Sequence, residues 1–153
     1  MKRILFILFV FVLCVTAAEA QTYLYKGNSS YSGDILYSWD GQYIYKGRSD
    51  YSGNTLYTWD GEYVYHGRSN YSGNILYSWD GRYMYKGRSD YSGDILITFD
   101  GQYIYRGRST YSGDILYTVS GGHLYRGKST YSGDILYSFN ARIPIPLLLL
   151  LIQ

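Results

Sequence analysis

The sequence predicts an all-β fold: repeated antiparallel hairpins, six units of 20 residues, forming a shallow, closed or near-closed symmetric barrel. Three observations predict it. A Tyr-Ser-Gly triplet opens at Tyr31, Tyr51, Tyr71, Tyr91, Tyr111 and Tyr131, and a unit this short cannot bury a core alone, so the copies must pack on one another. Each copy holds two short runs rich in aromatic and β-branched residues and bounded by glycine, such as Ile35-Leu36-Tyr37-Ser38-Trp39 and Tyr43-Ile44-Tyr45-Lys46. Asp40-Gly41, Asp60-Gly61, Asp80-Gly81 and Asp100-Gly101 join such runs, and Asp-Gly between apolar runs is a strong hairpin signal. About 12 strands follow, with no helix beyond residue 20, because residues 21–140 carry no helical period.

Composition narrows the classes. At 153 residues the chain has room for one domain, and its 22 tyrosines make the core largely aromatic, with hydroxyls that need partners. The formal charge of +2 falls to +1 without residues 1–20 (12 basic minus 11 acidic), too balanced for a nucleic-acid footprint. The only cysteine is Cys14, so the remainder has neither disulfides nor thiolate chemistry.

Taken in order, residues 1–20 combine Lys2 and Arg3, an apolar run over 4–15, and Ala18-Glu19-Ala20. This predicts a secretory signal cleaved before Gln21, and a mature protein that is secreted or held in the periplasm or cell envelope. The 12 apolar residues fall short of the roughly 20 of a membrane-spanning helix. Phe11-Val12-Leu13 lacks the small residues that precede a lipidated cysteine.

Residues 21–140 form the six-repeat domain, with hairpins straddling the repeat boundaries. A two-residue type I′ turn at Asp40-Gly41 would set Trp39 opposite Gln42 and Tyr37 opposite Ile44. Alternation then puts Ile35, Tyr37, Trp39 and Ile44 on one face and Leu36, Ser38, Tyr43 and Tyr45 on the other. The longer connections, such as 47–54, are made of turn formers. Their central tyrosine is expected to be buried or stacked, stapling neighbouring loops. Near the end, Val119-Ser120-Gly121-Gly122-His123 departs from the pattern, as a capping unit would.

Residues 141–153 are a separate apolar tail: Ile143-Pro144-Ile145-Pro146, then Leu147, Leu148, Leu149, Leu150, Leu151 and Ile152. Such a stretch must be hidden. Ten extended residues reach about 33 Å, so the tail is expected to plug the central channel and touch positions such as Leu36, Leu56, Leu76 or Ile44. The alternative is insertion into a lipid or membrane surface.

Reactive constellations are missing from the pattern. His66 and His123 stand where other repeats have lysine or arginine, or tyrosine, and read as drift. No catalytic residue, metal ligand or cofactor is expected, and the chain is read as a non-enzyme. Asp34, Asp94, Asp114 and Asp134 could suggest calcium, but turn chemistry explains them. Arg48, Arg68, Arg88, Arg108 and Lys128 would form a positive ring able to hold phosphate or carboxylate, with Asp50 and Asp90 close by in sequence. Trp39, Trp59 and Trp79 are candidates for an aromatic surface binding sugar or choline.

The Tyr-Ser-Gly-Asp-Ile-Leu-Tyr run (31–37 and 131–137), the Asp-Gly-x-Tyr-x-Tyr-x-Gly hairpin (40–47) and the closing Ile-Pro-Ile-Pro with leucines resemble the β-flower family, small exported proteins of repeated hairpins. The resemblance covers residues 21–152. It implies petals radiating around an apolar channel, with a loose likeness to tubby-like lipid-binding barrels, and establishes no function. The name it brings is that of a 4-fold flower, whereas six repeats stand here. A weaker resemblance is to choline- and glucan-binding repeats, whose Gly-Trp starts and Trp-Tyr-Tyr cores are absent. The expected function is a non-catalytic binding or scaffold module at the cell envelope, lipid-associated or, alternatively, binding carbohydrate or choline.

Overall fold

A computed structural model describes residues 21–152; the predicted secretory leader, residues 1–20, lies outside the described residues. The strands are β1 (Thr22–Lys26), β2 (Ile35–Trp39), β3 (Tyr43–Lys46), β4 (Thr55–Trp59), β5 (Tyr63–His66), β6 (Ile75–Trp79), β7 (Tyr83–Lys86), β8 (Ile95–Phe99), β9 (Tyr103–Arg106), β10 (Ile115–Ser120), β11 (His123–Arg126) and β12 (Ile135–Phe139). All pair antiparallel with their chain neighbours, and β1 pairs with β12, closing the barrel. Five petals are hairpins continuous in the chain. The sixth joins the two ends, with Leu24 opposite Phe139 and Tyr25 opposite Ser138. There Asn140 takes the place of the turn aspartate: its Oδ1 accepts the Tyr23 N–H at 2.7 Å.

The turns differ from expectation by two residues. Trp39 lies opposite Ile44 and Tyr37 opposite Lys46, so the loop spans four residues. Gly41 has φ 102°, and no residue other than glycine has positive φ among the described residues, which excludes type I′ at Asp40-Gly41. The cause is the aspartate: Asp40 Oδ1 accepts the N–H groups of Gln42 (2.9 Å) and Tyr43 (2.6 Å), folding the loop around its side chain. A shift of two preserves parity, so the face assignment survives. Where the motif has drifted, Ser120 faces His123 across Gly121 (φ 56°) and Gly122 (φ 77°), the positive-φ pair that type I′ needs. This petal is a member of the ring and caps nothing, because a closed ring has no end.

Every junction between petals carries a register shift, as between Leu24 and Tyr25 against β2. Bulges bend and twist a ladder, and six of them help to curve short strands into closure. Each long loop also contains one 3-10 turn, such as Ser52–Asn54.

The expectation of no helix fails at these turns and again in the tail, where α1 (Ile145–Leu150) forms. The lumen explains α1. Leu24, Ile44, Val64, Met84, Ile104 and Leu124, one from each petal, form one cluster with Trp59, Ile97, Ile143, Ile145 and residues 147–151. Surrounded by apolar side chains, an extended segment would leave its N–H and C=O groups without partners, whereas a helix satisfies them internally. Pro146 sits in the first turn, where its missing N–H costs nothing, and the N–H groups of Leu147 and Leu148 both reach Pro144 O at 3.1 Å. Of the wall positions expected to meet the tail, Ile44 belongs to this cluster; Leu36, Leu56 and Leu76 are half-buried outside it.

One wall position is poorly matched. Thr55 stands where the other long strands have Ile35, Ile75, Ile95, Ile115 and Ile135, and its Oγ1 is buried without a partner. Thr55→Ile is expected to raise stability by about 1 kcal/mol, by removing the unpaired hydroxyl and filling space that five copies already fill with isoleucine. A thermal melt checks this, and a lowered midpoint would refute it.

Candidate functional site

With the lumen filled, the outer face holds the polar chemistry. In the middle of each long strand an outward hydroxyl is buried under the loop that folds back over it. Thr58 Oγ1 donates to Gly67 O at 2.7 Å and accepts the Ser69 N–H at 3.2 Å. Thr98, Thr118 and Ser138 donate to Gly107, Gly127 and Gly27 in the same way, each at 2.7 Å. Ser38 Oγ lies 2.9 Å from Gly47 O and 2.8 Å from Ser49 O, and Ser78 bonds Ser89 O. Sequence reasoning missed these latches. Their signal was a Ser or Thr recurring at 38, 58, 78, 98, 118 and 138 inside otherwise apolar strands.

At four of the six petals a buried tyrosine also ties the wall to the turn. Tyr45, Tyr65, Tyr85 and Tyr105 donate to Oδ2 of Asp40, Asp60, Asp80 and Asp100, each at 2.7 Å. Burial, then the carboxylate, pushes the hydroxyls of Tyr45, Tyr65 and Tyr85 up to about 12. For Tyr105 the Asp100 hydrogen bond comes first and burial second, again to about 12. Burial opposes ionisation of Asp60, Asp80 and Asp100, but backbone N–H groups and the tyrosine hydroxyls outweigh it and hold these carboxyls below their ordinary value.

The folded-state tyrosine values lie above the unfolded value of about 10. Their stabilisation is therefore complete below about pH 10 and lost as pH rises through about 12. Tyrosinate absorbance during an alkaline titration should show these four ionising late, together with unfolding. A single step near pH 10 with circular dichroism unchanged would refute the pairing. The aspartates act at the other end, their contribution fading as pH falls below about 4.

The loop tyrosines do not staple neighbours. Tyr31, Tyr51, Tyr71, Tyr91, Tyr111 and Tyr131 are 68–73% exposed. Each ring lies against the glycine two residues on: a Cβ at Gly33 would stand 2.5 Å from Tyr31 Cε1. The triplet is thus a local packing unit, in which glycine leaves room for the ring.

Arginines from the same loops reach back over tyrosines of the preceding petal. The Cζ of Arg68 stands 4.2 Å from the Tyr43 ring centre, that of Arg48 5.8 Å from Tyr23, and that of Arg88 5.9 Å from Tyr63. The resulting shallow grooves recur around the outer wall, including one lined by Gln42, Tyr43, Thr58, Arg68, Ser69 and Asn70.

The other candidates are placed as follows. Trp59 is buried in the lumen cluster and Trp39 and Trp79 pack against it, so these side chains are committed to the core and offer no free aromatic platform. Leu147, Leu148, Leu149, Leu150 and Leu151 are each at most 9% exposed. His66 and His123 lie on different petals, each against a tyrosine ring. Asp34, Asp94, Asp114 and Asp134 accept the hydroxyls of Ser29, Ser89, Ser109 and Ser129. Among the described residues no group of three or more His, Cys, Asp or Glu could hold a metal ion, and no helix is long and apolar enough to cross a membrane.

Comparison with known proteins gives one match: the family described as 6-fold beta flower protein matches residues 24–148. No curated protein and no solved structure matches the chain.

Proposed function

The chain belongs to the 6-fold beta flower family, and from that premise we propose that it is an exported, non-catalytic binding or scaffold module of the cell envelope, working through its outer wall. One observation carries the reading: the wall's polar features, from hydroxyl latch to turn aspartate and Arg-over-Tyr groove, come as recurring copies. Catalysis needs an asymmetric set of nucleophile, base and stabilising donors, whereas a ring of equivalent shallow sites suits multivalent attachment, in which weak contacts add through effective concentration. The charge and apolar pattern of residues 1–20 supports export.

Burial of the tail favours attachment through the wall over insertion of residues 147–151 into lipid. A carbohydrate-binding role would likewise use the grooves, since Trp39, Trp59 and Trp79 are packed inward.

The test expresses residues 1–153. Fractionation should recover a mature protein beginning at Gln21 that sediments with isolated cell envelopes and does not float with liposomes. Recovery in the cytoplasm with its leader intact, or flotation abolished by removing 141–153, would overturn the proposal. So would a reproducible hydrolase activity lost on His123→Ala.

A further inference from the structure

The outer grooves are not electrically equal. The groove around Tyr43 contains Arg68 with neutral side chains, and its counterpart two repeats on contains Arg82, Tyr83, Thr98, Arg108, Ser109 and Thr110. No carboxylate lines either one. The nearest turn acids are already engaged: Asp40 holds the N–H groups of Gln42 and Tyr43 and the Tyr45 hydroxyl, and Asp80 holds those of Arg82, Tyr83 and Tyr85 in the same way. Between these two grooves Arg88 lies 5.9 Å from the Tyr63 ring centre, and at the positions equivalent to Gln42 and Asn70 this stretch of the wall carries the acids Glu62 and Asp90. The charge pattern therefore sets a stretch with two acids between two cationic grooves.

The geometry points to these two grooves as binding sites for a carboxylate-bearing polysaccharide, a polymer containing uronate units. A guanidinium held 4.2 Å from the Tyr43 ring centre is a planar fork of N–H donors that suits a planar, bidentate acceptor such as carboxylate. In the second groove Arg82 lies over Tyr83 with Cζ 5.3 Å from the ring centre, and Arg108 supplies another guanidinium. The amides of Gln42 and Asn70 and the hydroxyl of Thr110 add neutral donors and acceptors suited to sugar hydroxyls. The grooves, of about 280 and 210 Å³, are smaller than the ~300–1,000 Å³ of sites that enclose a ligand. Each takes a single unit, and useful affinity comes from one chain engaging both.

This assignment rests on the reading of the protein as a multivalent binding module, and the experiment separates the two. Electrophoresis of the mature chain through gels containing polygalacturonate should show strong retardation, with none in neutral dextran. Arg68→Gln combined with Arg108→Gln should weaken the apparent affinity about tenfold or more, while Arg88→Gln changes it little. Glu62→Gln should strengthen it, because it removes a carboxylate from the stretch that holds Arg88; this gain does not depend on the double variant folding well. Absence of retardation, or equal retardation of the double variant with its thermal midpoint retained, would overturn the assignment. Equal retardation by dextran sulfate and by polyphosphate, polyanions without carboxylates, would overturn the carboxylate preference and leave only charge. A wild-type chain that sediments with envelopes yet ignores polygalacturonate refutes the ligand class alone, and one that does neither refutes both.

Discussion

Deleting residues 141–153 is expected to abolish cooperative folding. The five leucines from 147 to 151 are all buried in the lumen, and burial of a leucine contributes about 1.5–3 kcal/mol. Together they supply on the order of 7–15 kcal/mol before entropy, as much as the whole stability of an ordinary domain. Without them the inward residues Leu24, Ile44, Val64, Met84, Ile104 and Leu124 would line a wet apolar hole. The truncated chain should bind a hydrophobic dye and lose its sharp thermal transition. Leu147→Ala gives the graded version: the side chain is fully buried, and its truncation should cost about 2–5 kcal/mol in denaturant unfolding. A deletion variant melting within a few degrees of the parent would show that the wall alone holds the barrel.

Removing residues 21–27 should be almost as severe, for a different reason. These residues contain β1, the only partner that joins β12 to β2. Their loss leaves two unpaired edges, templates for pairing with other chains, and removes Leu24, which is 1% exposed. Size-exclusion chromatography should show larger species or aggregate in place of the parent's elution peak, and Leu24→Ala should cost about 2–5 kcal/mol without opening the ring. A well-behaved truncated chain with the parent's dichroism would overturn this account of the seam.

The six-fold barrel was legible because the 20-residue period, the alternation of side chains and the glycine-bounded runs all describe the same hairpin. Besides the hydroxyl latches, four features were not. The turn type was misjudged because Asp-Gly is read through glycine's freedom, while Asp40 bonds forward to Gln42 and Tyr43 and widens the loop. The tail's helix was hidden by two prolines that read as helix breakers until their place before and within the first turn is known. The exposure of Tyr51 and its equivalents follows from the ring folding onto its own glycine, a contact that no periodicity encodes. Trp39, Trp59 and Trp79 looked available for ligands because alternation assigns a face without saying which face is inside.

The seam between β1 and β12 also imposes an order on the making of the protein. β1 is synthesised early, yet its contacts with β12 and Asn140 bridge more than 110 residues, 117 between Tyr23 and Asn140. Hairpins can zip up one after another while the chain is still emerging, but the costly long-range closure waits for β12. The plug is made later still, so the lumen is filled only after residues 145–151 have emerged. A chain halted early therefore carries an open edge and a bare apolar stripe, the features by which chaperones and proteases recognise unfinished proteins. Quality control thus comes with the topology: only a copy made through both β12 and the plug can conceal them.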